Sequence, residues 1–411
     1  MYIGLAHRSK STKIFARQRN CFRSRIRLES MSIAASIQSR TLLFLAVLPL
    51  VAAPAQSQSP DSNHPPAYTQ ELESTVSRFM AANKIPGLSV AIVDNGEFVW
   101  SGGFGVADLE NAVPATAQTL FRLGSLSKPL TAIGAMELWE AGKLDLNAPV
   151  RKYCPTFPDK GVVITTRELL GHLSGVRHYH SESIEDPEVS NIAHFDDPIQ
   201  GGLRFFKNDP LLSKPGTQFH YSTQGYTVVG CAIEGASKQK YVDYMRQNVF
   251  LPNGMTQTVV DDRYAIIPGR TQFYQKDKSG KVVNAEFLDS SYKIPGGGWL
   301  SNAEDMARFE VALLANRLVK QSTLDLMWTP SKPSISSKGG YGLGWGAFSE
   351  RGIRYIGHSG GQQGTSTNLL IAPESKSAVV VLINMENVSA DRLSKQLLQI
   401  VLQNGIPSTQ Q

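Results

Sequence analysis

The sequence predicts an α+β fold: one antiparallel sheet built from N- and C-terminal segments, flanked by helices, with a mostly helical insertion beside it. Three observations predict it. Two β-rich runs, SVAIV and EFVW, flank Asp94-Asn95-Gly96 within residues 87–100, a hairpin signal because Asn and Gly accept the turn backbone readily. Four further β-rich segments, at 344–349, 354–357, 367–371 and 378–384, crowd the other end of the chain. Between these ends, residues 165–295 mix short helical patterns with Pro- and Gly-rich loops.

Taken in order, residues 67–83 place apolar positions at helical spacing and predict an entry helix ahead of the hairpin. A helix opening at Ser125 runs through LTAIGAMELWEAG and stops near Gly142, a C-terminal cap. Gly296-Gly297-Gly298 leads into a helix over 303–314. Pro373-Glu374-Ser375 turns between the last two strands, and a final helix covers 390–403. No internal repeat is present.

The 411 residues are ample for a large core, and the formal net charge of +6 belongs to the leader. Residues 1–55 hold nine Lys or Arg and one acidic residue, Glu29, so residues 56–411 keep 32 basic and 34 acidic side chains. The body is nearly neutral, and nothing in it suggests a nucleic-acid surface. From Met31, Arg40 precedes the apolar run 42–53, and Ala53-Pro54-Ala55 supplies small residues for cleavage, the layout of a signal peptide. The run is too short to span a bilayer comfortably, and no second apolar run is long enough to anchor the chain in a membrane. Residues 1–30 then read as an upstream extension, with translation starting at Met31. The competing reading takes the Arg/Ser-rich residues 1–30 as a mitochondrial transit peptide. The order of charge, apolar core and cleavage site favours a secreted or periplasmic protein. Residues 56–66 read as a flexible tether and 67–405 as the folded domain, with a sheet portion over 67–130 and 296–405 and a helical portion over 131–295. Cys154 and Cys231, too few for a disulfide scaffold and without metal-site spacing, read as two unpaired buried thiols.

Chemistry concentrates in three places. Ser125-Leu126-Ser127-Lys128 puts a hydroxyl and an amine on one helical face, where the lysine can act as the base a weak nucleophile needs. The helix N-terminus also favours developing negative charge. Alone the tetrapeptide is weak, since Ser237–Lys240 and Ser290–Lys293 repeat the pattern and a capping serine explains it equally well. Tyr221-Ser222-Thr223 sits where a loop opens into an apolar helix; a phenol beside a lysine ammonium loses its proton more easily and can shuttle it. His358-Ser359-Gly360-Gly361 closes a predicted strand, where small residues admit a substrate backbone and the Gly361 amide can join that of Ser125 as an oxyanion hole. The three together, each at an element boundary, point to catalysis.

With these motifs the chain resembles the serine β-lactamase-like and penicillin-binding-protein-like hydrolases of class C type, from about residue 70 to 405. FRLGSLSK at 121–128, LLGHLSG at 169–175, PGTQFHYS at 215–222, GGGWLSNAEDMARF at 296–309, YGLGW at 341–345 and HSGG at 358–361 carry the likeness. HLSGVRHY, FKNDPL and DSSYKIPGGG narrow it to the mitochondrial serine β-lactamase-like branch and its bacterial relatives. The resemblance implies a β-lactamase/transpeptidase-like fold and an acyl-enzyme mechanism without cofactor or metal. Ser125 would be the nucleophile, Lys128 its base and Tyr221 the proton relay. Thr223, His358, Ser359, Gly360 and Gly361 would bind substrate or oxyanion, with His172 and Ser174 in structural support. The implied partner is a peptide, ester or β-lactam-like small molecule. A homo-oligomer, or a weakly catalytic self-assembling protein, is the implication from a different class.

Two departures bear on substrate. Thr223 stands where the family usually has asparagine, and His358 where many relatives carry a permanently charged lysine that helps hold a substrate carboxylate. Both favour a peptidase or esterase reaction over a true β-lactamase or D-Ala-directed carboxypeptidase. His178-Tyr179-His180, with His172 and His220, is a weak metal pattern, and Gly296–Gly298 lacks the ending of a phosphate loop. Trp299, Trp345 and Tyr341 suit cleft or core equally; Lys332 and Lys338 read as solvated.

Overall fold

Seven of the eight residues of β1 (Gly87–Asp94) are buried, because this strand lies inside a sheet covered on both faces. The computed structural model describes residues 65–180, 193–337 and 339–404; the leader, nearly all of the tether and Lys338 lie outside them. β1 turns through Asn95 (φ 50°) and Gly96 (φ 81°) into β2 (Glu97–Asp108), the hairpin expected from the sequence, and β3 (Val113–Pro114) follows. The other strands come from the C-terminal part: β4 (Gly340–Tyr341), β5 (Gly346–Glu350), β6 (Ile353–Gln362), β7 (Thr365–Ala372) and β8 (Ser377–Ile383). All pair antiparallel in one sheet, ordered β3-β2-β1-β8-β7-β6-β5-β4. The two ends of the chain join at β1–β8, from Leu88 opposite Ile383 to Val93 opposite Ala378.

Helices cover both faces. α1 (Thr69–Asn83) lies with the C-terminal helix on one side, where Leu72, Val76, Leu393 and Leu397 meet Val90, Ile92, Val379 and Val381. On the other side α2 (Ser127–Glu140), α3 (Thr223–Ser237) and α4 (Ala303–Leu314) share a core with Ala91, Val93, Val380 and Leu382. α5 (Ala390–Asn404) is that C-terminal helix. Trp299 and Trp345 are core residues, 1% and 0% exposed, whereas Tyr341, also buried, lines a cavity beside Tyr221. Lys332 opens a short 3-10 turn with no buried residue, as a solvated side chain should. Among the described residues no helix is long and apolar enough to cross a membrane.

Three expectations need correction. Cys154 and Cys231 are joined in a disulfide with Cα atoms 5.3 Å apart, not two free thiols. They lie 77 positions apart in sequence, and spacing of that kind carries no distance information, so counting missed the pair. His358–Gly361 does not close its strand but lies inside β6, carried past its glycines by pairing with β7, His358 opposite Leu369 and Gly361 opposite Ser366. Finally, Ser125 lies in a 3-10 turn, Gly124–Leu126, and the α-helix proper begins at Ser127.

Candidate active site

Gly124 makes the turn that presents Ser125. Its φ of 52° is left-handed, and a Cβ there would lie 2.9 Å from the Gly361 amide nitrogen. Across the gap, a Cβ on Gly360 would overlap the Leu123 carbonyl and the Thr367 hydroxyl. The glycines therefore allow the Ser125 turn to press against β6. Arg122, two residues before that turn, is buried and its Nε donates to Asp261 at 2.7 Å; Leu123 N donates to Trp299 O at 2.9 Å. β5 pairing ends at Gly357, so residues 358–362 pair with β7 alone and turn their other edge to the cleft.

Lys128, on the first turn of α2, is fully buried. Its Nζ lies 2.9 Å from Ser125 Oγ, 3.0 Å from Thr223 Oγ1 and 2.8 Å from the Gly296 carbonyl oxygen. None of these partners is an anion. Burial, and then the charge of Lys293, hold the Lys128 amine well below its ordinary pKa. Tyr221 shifts the other way: burial pushes the phenol pKa above its ordinary value, and hydrogen bonding to Ser125 offsets this only in part. Lys128 Nζ sits 4.7 Å from the centre of the Tyr221 ring. The expectation that a lysine ammonium would ease loss of the Tyr221 proton is thus reversed. Burial disfavours both the ammonium and the phenolate.

Two histidines fix the Tyr221 segment. His172 Nδ1 accepts from Ser222 N at 3.1 Å, and His178 Nδ1 accepts from Thr223 N at 3.2 Å. Ser222 caps α3, its Oγ accepting from Gly225 N at 2.8 Å and donating to Arg177 O at 2.6 Å. The His172 ring packs 4.4 Å from Tyr221 and 4.7 Å from Tyr341, centre to centre, and Ser174 Oγ accepts from Val176 N. Burial first, and Lys128 second, push His178 down to about 3 and His172 well below its usual range, so both stay neutral acceptors.

His358 is also neutral, pushed down to about 3 by burial and then by Lys128. Its Nδ1 lies 2.6 Å from the Ser359 carbonyl oxygen, an obligate acceptor, so Nδ1 carries the proton and Nε2 accepts from the Tyr341 hydroxyl at 2.9 Å. Both ring nitrogens are therefore occupied within the protein. Ser359 Oγ accepts from Asn368 Nδ2 at 2.9 Å, and Gly361 is exposed on the strand edge.

Two cavities flank this centre. One, of about 390 Å³, is lined by Ser125, Thr223 and Gly361 together with His178, Tyr179, Lys293 and Gln362. The other, of about 490 Å³, is lined by Tyr221, Tyr341, His358 and Ser359 over an apolar floor of Phe348 and Leu370. The structure thus brings Ser125, Lys128, Tyr221, Thr223 and the 358–361 segment into one place.

Sequence reasoning missed several neighbours. Lys293 belongs to a serine–lysine match that looked incidental, and its place in DSSYKIPGGG, just before the glycine whose carbonyl meets Lys128, was the available signal. The other match is incidental indeed: Ser237 ends α3, and exposed Lys240 pairs with Asp197 at 2.8 Å. His178 and Tyr179, weak as metal ligands, line the cleft instead. Among the described residues no three His, Cys, Asp or Glu side chains group as a metal site.

Comparison with known proteins shows the family and the fold. The family described as Beta-lactamase matches residues 72–402. The serine beta-lactamase-like protein LACTB, mitochondrial, of Mus musculus is 32% identical over 79% of this chain and 78% of its own length. Its Homo sapiens counterpart is 34% identical over 70% of this chain and 69% of its own. Among solved structures, the octameric penicillin-binding protein homologue from Pyrococcus abyssi superposes with a TM-score of 0.71 at 26% identity, covering 82% of this chain and 77% of that one.

Proposed function

The chain belongs to the beta-lactamase family, and from that premise we propose that it is a serine hydrolase cleaving an amide or ester bond through a covalent acyl-enzyme. One observation carries the reading: Lys128 Nζ lies 2.9 Å from Ser125 Oγ, and Ser125, Thr223 and the Gly296 carbonyl that surround it are all uncharged. As a neutral amine, Lys128 gives its two hydrogens to Gly296 O and Thr223 Oγ1 and offers its lone pair to the Ser125 hydroxyl. Ser125 Oγ attacks the substrate carbonyl carbon while its proton passes to Lys128. The amides of Ser125 and Gly361 receive the oxyanion. Tyr221, still protonated, gives its proton to the leaving nitrogen or oxygen as the bond to the acyl carbon breaks, and Lys128 returns a proton to Tyr221. Water then attacks the ester, giving its proton up along the same path, and Ser125 leaves as the alcohol.

Peptidase or esterase chemistry suits the site better than β-lactam hydrolysis. His358, neutral and held at both nitrogens, lacks the fixed positive charge that a lysine brings to a β-lactam carboxylate. A fluorophosphonate probe is expected to label the wild-type protein and not Ser125→Ala; equal labelling of both would remove the nucleophile. Faster turnover of a chromogenic cephalosporin than of simple peptides and esters would instead favour the β-lactamase reading.

For the compartment, two observations pull apart. The Cys154–Cys231 disulfide fits an oxidising, exported setting, as does the leader's order of charge, apolar run and small residues. The mammalian relatives are named mitochondrial. Export is the reading carried forward, and N-terminal sequencing of the mature protein is expected to begin at or near Gln56. A mature start close to residue 30 would support a transit peptide.

A further inference from the structure

Among the described residues Lys293 is a buried amine facing a cavity without an ion-pair partner. It is 4% exposed and lines the smaller cavity beside Ser125. Among the described residues its Nζ makes no hydrogen bond or ion pair and meets only the rings of Tyr292 and Tyr179, 5.4 and 5.7 Å from their centres. Arg122, the neighbouring cation, is by contrast occupied by Asp261. Burial, and then the Arg122 charge, push the Lys293 amine down to about 7, with Asp261 offsetting only part of this. A second donor lines the same cavity: the Gln362 Nε2 is buried without a hydrogen-bond partner. Buried donors without acceptors are costly and call for a ligand that accepts. Glu386, the acidic residue of the lining, already accepts from the Gly364 amide at 2.7 Å, and burial raises its pKa, so it competes weakly for that role.

The side of the cleft follows from the proposed mechanism, on which this inference rests. Tyr221, the proton donor to the leaving group, lines the larger cavity with His358, while Ser125 and Lys293 line the smaller. The leaving group therefore lies toward the larger cavity and the acyl group toward Lys293. We propose that Lys293 and the Gln362 side-chain amide form an anion subsite on the acyl side, and that the natural substrate carries a carboxylate on its acyl group. The charge absent at His358, on the leaving-group side, is supplied across the nucleophile on the acyl side.

The test uses two amides of one aminocoumarin on the mature protein: the glutaryl compound, and the same molecule with its terminal carboxylate replaced by a carboxamide. Wild type is expected to favour the acid in kcat/KM by roughly ten- to a hundredfold, the range of a hydrogen bond between charged groups. Lys293→Met should bring that ratio close to one, whatever common factor the loss of its charge near Lys128 imposes on both substrates, and Lys293→Glu should invert it. A ratio unchanged in Lys293→Met overturns the subsite in favour of a structural lysine. Calorimetric binding of the same two amides to Ser125→Ala, with and without Lys293→Met, reads the subsite without turnover. If the acid binds through Lys293 while the fluorophosphonate probe fails to label Ser125, the hydrolase reading falls and the subsite stands. If Ser125 is labelled and both amides bind alike, the subsite falls and the hydrolase stands.

Discussion

Lys128→Met is expected to lower kcat/KM by about 10²- to 10⁴-fold, the contribution of a positioned general base, while the protein stays folded. Methionine keeps much of the lysine stem's volume in a site that is fully buried. What it removes is the lone pair 2.9 Å from Ser125 Oγ. The cost to the fold is one unmet acceptor, chiefly the Gly296 carbonyl, of order 1–3 kcal/mol; Thr223 can turn its hydroxyl elsewhere. Against that stands relief of a buried amine whose folded pKa lies below its unfolded value. The sign follows from proton counting. Between the folded pKa and the ordinary lysine value the unfolded chain binds more protons, so wild-type stability rises with pH across that window. The variant loses this contribution to the slope, and its stability relative to wild type should be best at low pH and poorest near pH 10. Lys293, held down to about 7, contributes in the same direction and persists in both proteins.

The pH profile of activity supplies a companion reading. Rate should climb with pH as Lys128 gives up its proton. No limb near 6.5 is expected from the site histidines, because His178 and His358 are both pushed down to about 3. Steady-state kinetics and urea unfolding across pH check both halves; a variant within tenfold of wild type would sink the assignment of the base.

Replacing Cys154 and Cys231 together by serine is expected to destabilise the protein by about 4 kcal/mol, the chain-entropy value for a long closed loop. The bridge spans 77 positions and ties the turn after Val150–Lys152 to the buried stretch of α3. Its effect lies mainly in the unfolded chain, which the cross-link keeps from expanding. Activity below the unfolding transition should therefore change little, since Thr223 at the other end of α3 keeps its partners Lys128 and His178. Urea unfolding should show reduced wild type coinciding with the double variant. Coincidence of both with oxidised wild type would deny the bridge any stabilising role.

Much of the fold was legible because strands buried on both faces leave long apolar runs. SVAIV in β1 and AVVVLI in β8 are such runs, and Asn-Gly between β1 and β2 names its own turn. α4 could be bounded at both ends: Asn302 caps it, its Oδ1 accepting from Asp305 N at 2.7 Å, and the amphipathic pattern sets its length. The Ser125, Tyr221 and His358 segments were legible by residue type and order, and the structure draws them together. What sequence could not show was depth and main-chain contact. Gly296 offers a carbonyl, which every residue has. Lys293 looks like any lysine until it is buried, and Tyr221 was assigned the wrong ionisation tendency because a string of letters carries no dielectric. The cysteine pair failed for a simpler reason, since chain separation gives no separation in space.

The seam at β1–β8 has a consequence in time. A ribosome releases β1 and β2 first, then α2 with Ser125 and Lys128, and only at the end β6 and β8. Until β8 emerges, one edge of a strand with seven buried residues has no partner, and the pairing that closes it joins Leu88 to Ile383 across most of the chain. The Gly361 amide arrives in the same late segment. Serine and lysine can meet early in a half-made chain, but the oxyanion site of the proposed mechanism cannot form before the sheet is closed. Completion of the fold and onset of reactivity become a single event, and a nascent chain exposes a sticky strand edge but no assembled catalyst.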